Sequence, residues 1–175
     1  MHIIVFGLNH KTSPIEIREK LFLNSTQQDL LLSELKNNPA VIEACVLSTC
    51  TRVEVYVHVI DLAMDIRPLV RLIFQIKKVS FTEDDRKYFY TYSNRDAISH
   101  LLEVSTGLDS LVLGEEQILG QVKVAFERLS RERRGNGGAT FPELAASRRK
   151  LEKFLFGFKV HVQLIKPIRK EGCLL

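Results

Sequence analysis

Tryptophan is absent from this 175-residue chain, and cysteine is scarce, with three residues. Three cysteines are too few for the disulfide framework of a small secreted domain. Cys45 and Cys50 have no nearby histidine pair or second Cys-x-x-Cys pair, so the spacing does not indicate a structural zinc site. A reducing cytoplasm is therefore the compartment that we expect.

Long apolar runs are also missing. No run reaches the roughly 18 residues that a helix needs to cross a bilayer, and the first residues lack the basic start of a signal peptide. We therefore expect no membrane association. With 45% hydrophobic and 26% charged residues, the composition is that of a globular protein with one core and room for an extension.

The net charge of +4 is unevenly distributed. Of the 25 Lys/Arg and 21 Asp/Glu, residues 1–126 hold 13 and 16, a balance of −3, whereas residues 127–175 hold 12 and 5, a balance of +7. The two parts are therefore expected to differ in design.

Hydrophobic periodicity predicts an α+β domain of the ferredoxin-like type, with an antiparallel sheet and helices on one face. The alternative is an irregular α+β domain in which the same elements are ordered differently in space. Two or more helices are predicted to follow from residue 94. The predicted elements are strands at 2–8, 40–47, 53–59 and 87–92, with helices at 15–21, from Ser25 or Thr26 to about 37, and at 62–75.

Three helix details follow from the same pattern. The second helix is predicted to be capped by Ser25 or Thr26 and to turn Leu30, Leu31 and Leu35 toward the core. Pro68 is expected to disturb the early turns of the third helix. The helix from 94 is predicted to be capped by Asn94. The side of this helix that is expected to face the core consists of Ala97, Ile98, Leu101, Leu102 and Ser105. His100 lies off this side, so it is either available to a cleft or simply exposed to solvent.

Cys50 interrupts two alternating apolar runs, at the break between the second and third predicted strands. A cysteine at such a corner is held rigidly and can face a cleft, and the guanidinium of Arg52 could stabilise its thiolate. An arbitrary cysteine is more often a small buried apolar residue, and Cys45, inside a strand, keeps that interpretation. Gln117 and Gln121 share a polar helix face behind Glu115, which indicates either a wall for an amino-acid ligand or a solvated surface.

Three motifs together closely resemble the N-terminal catalytic domain of glutamyl-tRNA reductase. They are GLNHKTSPIEIREK at 7–20, LSTCTRVEVY at 47–56 and GLDSLVLGEEQILGQVK at 107–123. The resemblance covers about residues 2–126, in the expected order and spacing. It implies a catalytic domain at 1–126, with a core at 1–93 and a helical extension at 94–126.

The resemblance implies reduction of glutamyl-tRNA to glutamate-1-semialdehyde with NADPH, the first committed step of tetrapyrrole synthesis. Cys50 would be the nucleophile that forms a thioester. His100 would polarise the carbonyl or protonate the departing ribose oxygen. Arg52 could hold the glutamate carboxylate in a bidentate pair. The implied substrate-binding positions are Thr49, Thr51, Arg52, Ser110, Glu115, Glu116, Gln117 and Gln121.

Thr51 departs from the asparagine that is usual in this family, and loss of the amide donors implies weaker substrate binding. The resemblance further implies glutamyl-tRNA as a partner, with the downstream glutamate-1-semialdehyde aminomutase as another. The chain contains no Gly-x-Gly-x-x-Gly motif, so no NADPH site is expected within it. A monomer is expected for this chain, and a dimer for a full-length family member.

Residues 127–175 are predicted to be a basic tail, either the result of truncation with a shifted reading frame or a tRNA-binding extension. Three functions therefore remain open. The chain is the cysteine domain of a reductase whose other domains lie elsewhere, a stand-alone thiol esterase acting on glutamyl-tRNA, or a non-catalytic binding remnant.

Overall fold

A four-stranded antiparallel sheet organises the protein, whose computed structural model describes residues 2–110, 118, 120–122 and 124–125. No helix in this part of the chain is long and apolar enough to cross a membrane. The elements are β1 (His2–Asn9), α1 (Ile15–Leu21), α2 (Ser25–Lys36), β2 (Val41–Ser48), β3 (Arg52–Val59), α3 (Arg67–Lys77), a 3₁₀ helix (Glu83–Tyr88), β4 (Tyr90–Ser93) and α4 (Asn94–Ser105).

The strands lie in the order β2-β3-β1-β4, and every neighbouring pair is antiparallel. This order confirms the predicted ferredoxin-like arrangement over the irregular alternative. Asn9, the last residue of β1, pairs with Arg52, the first residue of β3. The corner that carries Cys50 therefore lies at the same end of the sheet as the loop that follows β1.

Both faces of the sheet are covered. The four valines of β3 pack with α1, α2 and α3 on one face, which is the face where helices were predicted. On the other face, Val5, Cys45 and Tyr56 pack against α4 and against Ile118, Val122 and Ala125 of the later helical residues. We call this second side the α4 face.

The second helix differs from the prediction in its cap and in its inward face. Asn24 is the cap: its side chain accepts from the Gln27 amide at 3.0 Å, while the Gln27 side chain accepts from the Asn24 amide at 3.1 Å. This reciprocal capping box satisfies two amides that have no partner within the helix. Leu30 is 49% exposed, and Leu32 is buried beside Leu31 and Leu35.

The third helix begins later than predicted, at Arg67 rather than residue 62. Pro68 lies in its first turn, where a missing N–H removes no intrahelical hydrogen bond, so the proline starts the helix instead of disturbing it. The fourth strand is also shorter than predicted, because residues 87 and 88 belong to the 3₁₀ helix. Asp85 fixes that turn by accepting from the Thr82 amide at 2.7 Å.

The inward stripe predicted for α4 is confirmed at Ala97 and Ser105, which are buried, and wrong at Ile98. Ile98 is 43% exposed, whereas His100 is buried beside Ala97 and Val104. The predicted cap is also wrong, because Asn94 is the first helical residue, and its side chain accepts from the Ile3 amide of β1 at 3.2 Å. His100 can lie inward because the strands beneath α4 supply polar partners for its ring.

Candidate functional site

Cys50 is exposed at the corner between β2 and β3. Thr49 holds this corner: its amide donates to the Arg52 carbonyl at 2.8 Å, and its buried hydroxyl accepts from the amides of Thr51 and Arg52, each at 3.2 Å. The side chains of Thr49 and Thr51 also share a 3.2 Å hydrogen bond. The thiol is therefore presented to solvent from a fixed backbone, as the sequence predicts.

Cys45 provides the internal contrast. It is buried in β2 on the α4 face, and burial, together with the charge of Glu54, raises the pKa of its thiol to about 12. A thiol in that state is an inert packing group. The two cysteines thus occupy opposite environments only five residues apart.

Arg52 is fully buried beneath the corner. Its Nη1 donates to Glu54 at 2.8 Å and to Asp109 at 2.9 Å, and its Nη2 donates to the Asp109 carbonyl. The side-chain hydrogen bonds of Arg52 within residues 2–110 therefore go to these two acids rather than to Cys50. Binding of a substrate carboxylate by Arg52 remains a prediction, and such a ligand would have to compete with Asp109 for the guanidinium.

Glu54 is the centre of the polar network. Besides Arg52, its carboxylate meets His100 Nε2 at 2.9 Å and accepts from the hydroxyls of Tyr56 at 2.7 Å and Tyr90 at 2.5 Å. Burial alone would raise the pKa of Glu54, but the His100 hydrogen bond and the Arg52 charge outweigh it and hold that pKa below its usual value. Glu54 is therefore a carboxylate whose hydrogen-bonding capacity is taken up by protein donors.

Asp109 links the network to the loop after β1. It accepts from Lys11 Nζ at 2.5 Å and from Asn9 Nδ2 at 3.3 Å, in addition to Arg52. Burial pushes the pKa of Asp109 upward, but the hydrogen bonds from Lys11 and Arg52 lower it overall. Lys11 is 60% exposed, so the chain of charges runs from the surface to the buried Glu54.

Two tyrosines of β4 cover His100. The Tyr90 and Tyr92 ring centroids lie 5.3 and 5.1 Å from that of the imidazole, and the two tyrosine rings stack at 5.2 Å. Burial and the negative charge of Glu54 raise the pKa of Tyr90. Tyr90 is therefore protonated and donates to Glu54.

Glu54, His100 and Asp109 present ligand atoms within 4.8 Å of one another, a grouping that could hold a metal ion. The guanidinium of Arg52, however, is already hydrogen-bonded to both carboxylates. This internal cation supplies the positive charge that a metal would otherwise bring. The donor set therefore fits a buried ion-pair network better than a metal site.

The structure brings Arg52 and His100 together through Glu54, while Thr49, Cys50 and Thr51 form the corner above. Ser110 lies half-buried in the turn after α4, where its amide donates to the Gly107 carbonyl at 3.3 Å. Gln121 is exposed on the later helical residues. The remaining predicted substrate positions, 115, 116 and 117, lie outside the described residues.

The sequence interpretation missed Glu54, Tyr90 and Asp109. One signal was present: β3 reads RVEVYVHV, with valine at every second position and polar side chains between them. Strict alternation places the polar set on one face of the sheet. Asp109 lies within the motif at 107–123, but its partners Asn9, Lys11 and Arg52 are distant in sequence, so local pattern could not identify them.

These pKa shifts predict that the free energy of unfolding is highest at intermediate pH and falls in both acid and alkali. Glu54 and Asp109 have lowered pKa values in the folded state, so their contribution is present above their unfolded values of about 4 and is lost as the pH falls. Cys45, Tyr56 and Tyr90 have raised pKa values in the folded state. Their contribution to stability is therefore lost as the pH rises above about 9 to 10. Urea unfolding followed by circular dichroism from pH 3 to 11 measures both limbs, and a flat profile would contradict the network.

Comparisons with known proteins agree with the geometry. The family model for the N-terminal domain of glutamyl-tRNA(Glu) reductase matches residues 6–146. The match extends past residue 126, where the motif resemblance ends; the domain boundary there stays a prediction. Glutamyl-tRNA reductases of Picosynechococcus sp. and Heliobacterium mobile are each 42% identical over 137 residues, or 78% of this chain.

Those residues make up 32% and 31% of the two relatives, so the chain spans about a third of their length. The solved structure of glutamyl-tRNA reductase from Methanopyrus kandleri matches with a TM-score of 0.59 and 26% identity, over 97% of this chain and 34% of that one. This chain belongs to the glutamyl-tRNA reductase family and corresponds to the N-terminal domain of its members.

Proposed function

We propose that this chain carries out the acyl-transfer half of glutamyl-tRNA reduction, the entry to tetrapyrrole synthesis, in the cytoplasm. Cys50 Sγ attacks the ester carbonyl that joins glutamate to the tRNA ribose. The sulfur–carbon bond forms, the carbon–oxygen ester bond breaks, and the thiol proton ends on the ribose oxygen. The products are a glutamyl thioester on Cys50 and free tRNA.

The exposure of Cys50 carries this proposal. A nucleophile must meet a bulky tRNA ester, and an exposed thiol on a hydrogen-bonded corner can do so without rearrangement of the sheet. Cys45 cannot, because it is buried. Family membership supports the choice of glutamyl-tRNA as the substrate.

The glutamyl group would be held by residues around this corner. Thr49 and Thr51 offer hydroxyls, and Arg52 binds the side-chain carboxylate by exchanging its Asp109 contact for the ligand. Arg52 Nε, which is buried and has no partner within the described residues, is a further donor for that carboxylate. The rest of the pocket would consist of Ser110, Glu115, Glu116, Gln117 and Gln121.

NADPH, the hydride donor implied for the complete reaction, does not fit the described part of this chain. Its four strands pair only in antiparallel fashion, so these elements contain no parallel β-α-β crevice for a dinucleotide. The sequence also contains no Gly-x-Gly-x-x-Gly motif. Reduction to glutamate-1-semialdehyde, and transfer of that product to an aminomutase, would require a nucleotide site outside the described residues.

Label transfer from glutamyl-tRNA tests the proposal. The 175-residue chain is incubated with tRNA charged with radiolabelled glutamate and then separated on a denaturing acidic gel. We expect protein-bound label that hydroxylamine removes, as it removes thioesters. Cys50→Ser should reduce this label at least 100-fold, whereas Cys45→Ala, its buried counterpart, should retain it.

The remaining outcomes separate the alternatives. Free glutamate that accumulates with the wild type but not with Cys50→Ser would identify thiol esterase activity, which solvent exposure of Cys50 favours. Binding of tRNA without any label transfer would overturn the acyl-transfer proposal and leave a binding module. Retention of label in Cys50→Ser would exclude Cys50 as the nucleophile.

A further inference from the structure

We propose that Asn9, Lys11 and Arg52 form a binding site for the side-chain carboxylate of the glutamyl group, and that Asp109 is an internal ligand which the incoming carboxylate displaces. The inference deepens the proposed function and rests on it. It adds Asn9 and Lys11 to the residues that select the substrate, and it makes Asp109 a competitor of the substrate. We call the three donor residues the carboxylate site.

A carboxylate already lies on these three donors. Asp109 Oδ2 accepts from Arg52 Nη1 at 2.9 Å and from Asn9 Nδ2 at 3.3 Å. Its Oδ1 accepts from Lys11 Nζ at 2.5 Å. Two cations and an amide thus converge on one anionic group, and charge-assisted hydrogen bonds of this kind are stronger than neutral ones. Asp109 therefore shows which chemical group the site binds.

The donors are held in place by contacts that do not involve Asp109. The side-chain oxygen of Asn9 accepts from the amides of Lys11 at 2.9 Å and Thr12 at 3.2 Å, which leaves Nδ2 to face the carboxylate. Arg52 donates to Glu54 at 2.8 Å, so it keeps a counter-ion when Asp109 leaves. Displacement of Asp109 therefore exchanges one carboxylate for another.

The carboxylate site lies beside the proposed nucleophile. Arg52 follows Cys50 by two residues, which limits the distance between their Cα atoms to about 7 Å. Asn9 pairs directly with Arg52 across β1 and β3, and Lys11 is 60% exposed at the solvent side of the site. A glutamyl group carries its side-chain carboxylate only a few bonds from its ester carbon. The substrate can therefore meet Cys50 and the carboxylate site at the same time.

Asp109 is suited to be a replaceable occupant. The amides of Leu108 and Asp109 donate to the Glu103 carbonyl at 2.9 and 3.2 Å, so this turn stays anchored to α4 while the Asp109 side chain rotates. Arg52 Nε is buried and has no partner within the described residues. An unsatisfied buried donor costs free energy, so an occupant that also reaches Nε has an advantage over Asp109.

Binding of a small ester tests the competition. The probe is L-glutamic acid α-methyl ester, titrated by NMR into the ¹⁵N-labelled 175-residue chain with Cys50→Ser, which prevents acyl transfer from consuming it. We expect Asp109→Asn to tighten binding about 10-fold, because apparent affinity falls with the fraction of molecules in which a site is open. Binding of L-glutamine methyl ester should change by less than about threefold, because its amide lacks the charge that the site selects.

Two further variants separate competition from a general effect. Asp85→Asn is the matched control, because Asp85 is also buried but accepts from the amide and hydroxyl of Thr82, at 2.7 and 2.8 Å. It should leave ester binding unchanged. Lys11→Met should weaken binding about 10-fold in the Asp109→Asn chain but less than about threefold beside Asp109, where Lys11 loses a carboxylate partner in both the free and the bound state.

Carbon NMR of the Asp109 carboxyl group tests displacement in a chain that retains this residue. Hydrogen bonds from Lys11 and Arg52 lower the pKa of Asp109 in the free protein. Saturation with the glutamate ester should move the Asp109 carboxyl signal and raise its pKa toward that of an ordinary aspartate. A signal that does not move when the ester binds would overturn the proposal.

The sign of the Asp109→Asn effect decides between competition and a structural role. Weaker or unchanged binding would mean that Asp109 only holds Arg52 in place, and it would overturn the inference, as would an equal gain for the glutamine ester. If the ester binds as expected but glutamyl-tRNA transfers no label, the proposed function fails and the carboxylate site stands. Label transfer to Cys50 without tighter binding in Asp109→Asn would leave the proposed function and remove the inference.

Discussion

Arg52→Met should lower the free energy of unfolding by about 3–5 kcal/mol, the cost of removing one partner from a buried ion pair. Arg52 has no exposed surface, and its loss leaves Glu54 and Asp109 facing each other without their shared cation. Methionine retains most of the volume, so the loss reports charge rather than a cavity. Urea unfolding at pH 7, followed by circular dichroism, measures it.

Arg67→Met is the matched control for that experiment. Arg67 pairs with Asp65 at 2.8 Å, but both side chains are largely exposed, and such surface pairs contribute little to stability. We expect no measurable change in its unfolding midpoint. A loss in Arg52→Met no larger than in Arg67→Met would mean that the buried network does not stabilise the fold.

Gly7→Ala should be the most damaging single-methyl change in the sheet. A Cβ at Gly7 would lie 2.3 Å from the Val53 carbonyl oxygen and 2.8 Å from Glu54 Cα, both backbone atoms that cannot rotate away. β1 and β3 would have to separate at the centre of the sheet. We expect the free energy of unfolding to fall by about 3 kcal/mol, the upper end of overpacking effects.

Gly120→Ala provides the opposite case. Gly120 is helical, and a Cβ there would meet no atom within 4 Å. Since alanine favours helix by about 1 kcal/mol over glycine, stability should stay equal or rise. The comparison is made by thermal and urea unfolding of both variants. Equal tolerance of the two substitutions would contradict the close approach at Gly7.

Local sequence patterns predicted most of the fold. Alternation located the strands, and the break at Cys50 identified the corner, because both depend on neighbouring residues. Local pattern failed where the deciding contact was distant. His100 is polar and was assigned away from the core, yet Glu54 of β3, 46 positions earlier, makes an inward position favourable.

The candidate site shows the same division. Cys50 and its threonine neighbours form a local turn, so the sequence motif alone was enough to predict the corner. The network beneath them joins Asn9, Arg52, Tyr90, His100 and Asp109 through β1–β3 and β1–β4 pairing. Only the folded sheet brings these positions together. The alternation in β3 could have indicated a polar face, but not which helix would cover it.

The alternation of valines and polar residues in β3 also specifies the register in which β3 pairs with β1. Its valines and its ionic residues alternate, so pairing with β1 shifted by one residue would press Arg52 and Glu54 into the apolar side next to Phe6 and Leu8. Burying those charges without their partners would cost several kcal/mol, so the mispaired state is strongly disfavoured. The charged residues of β3 therefore select the native register of the β1–β3 pair by destabilising the shifted one.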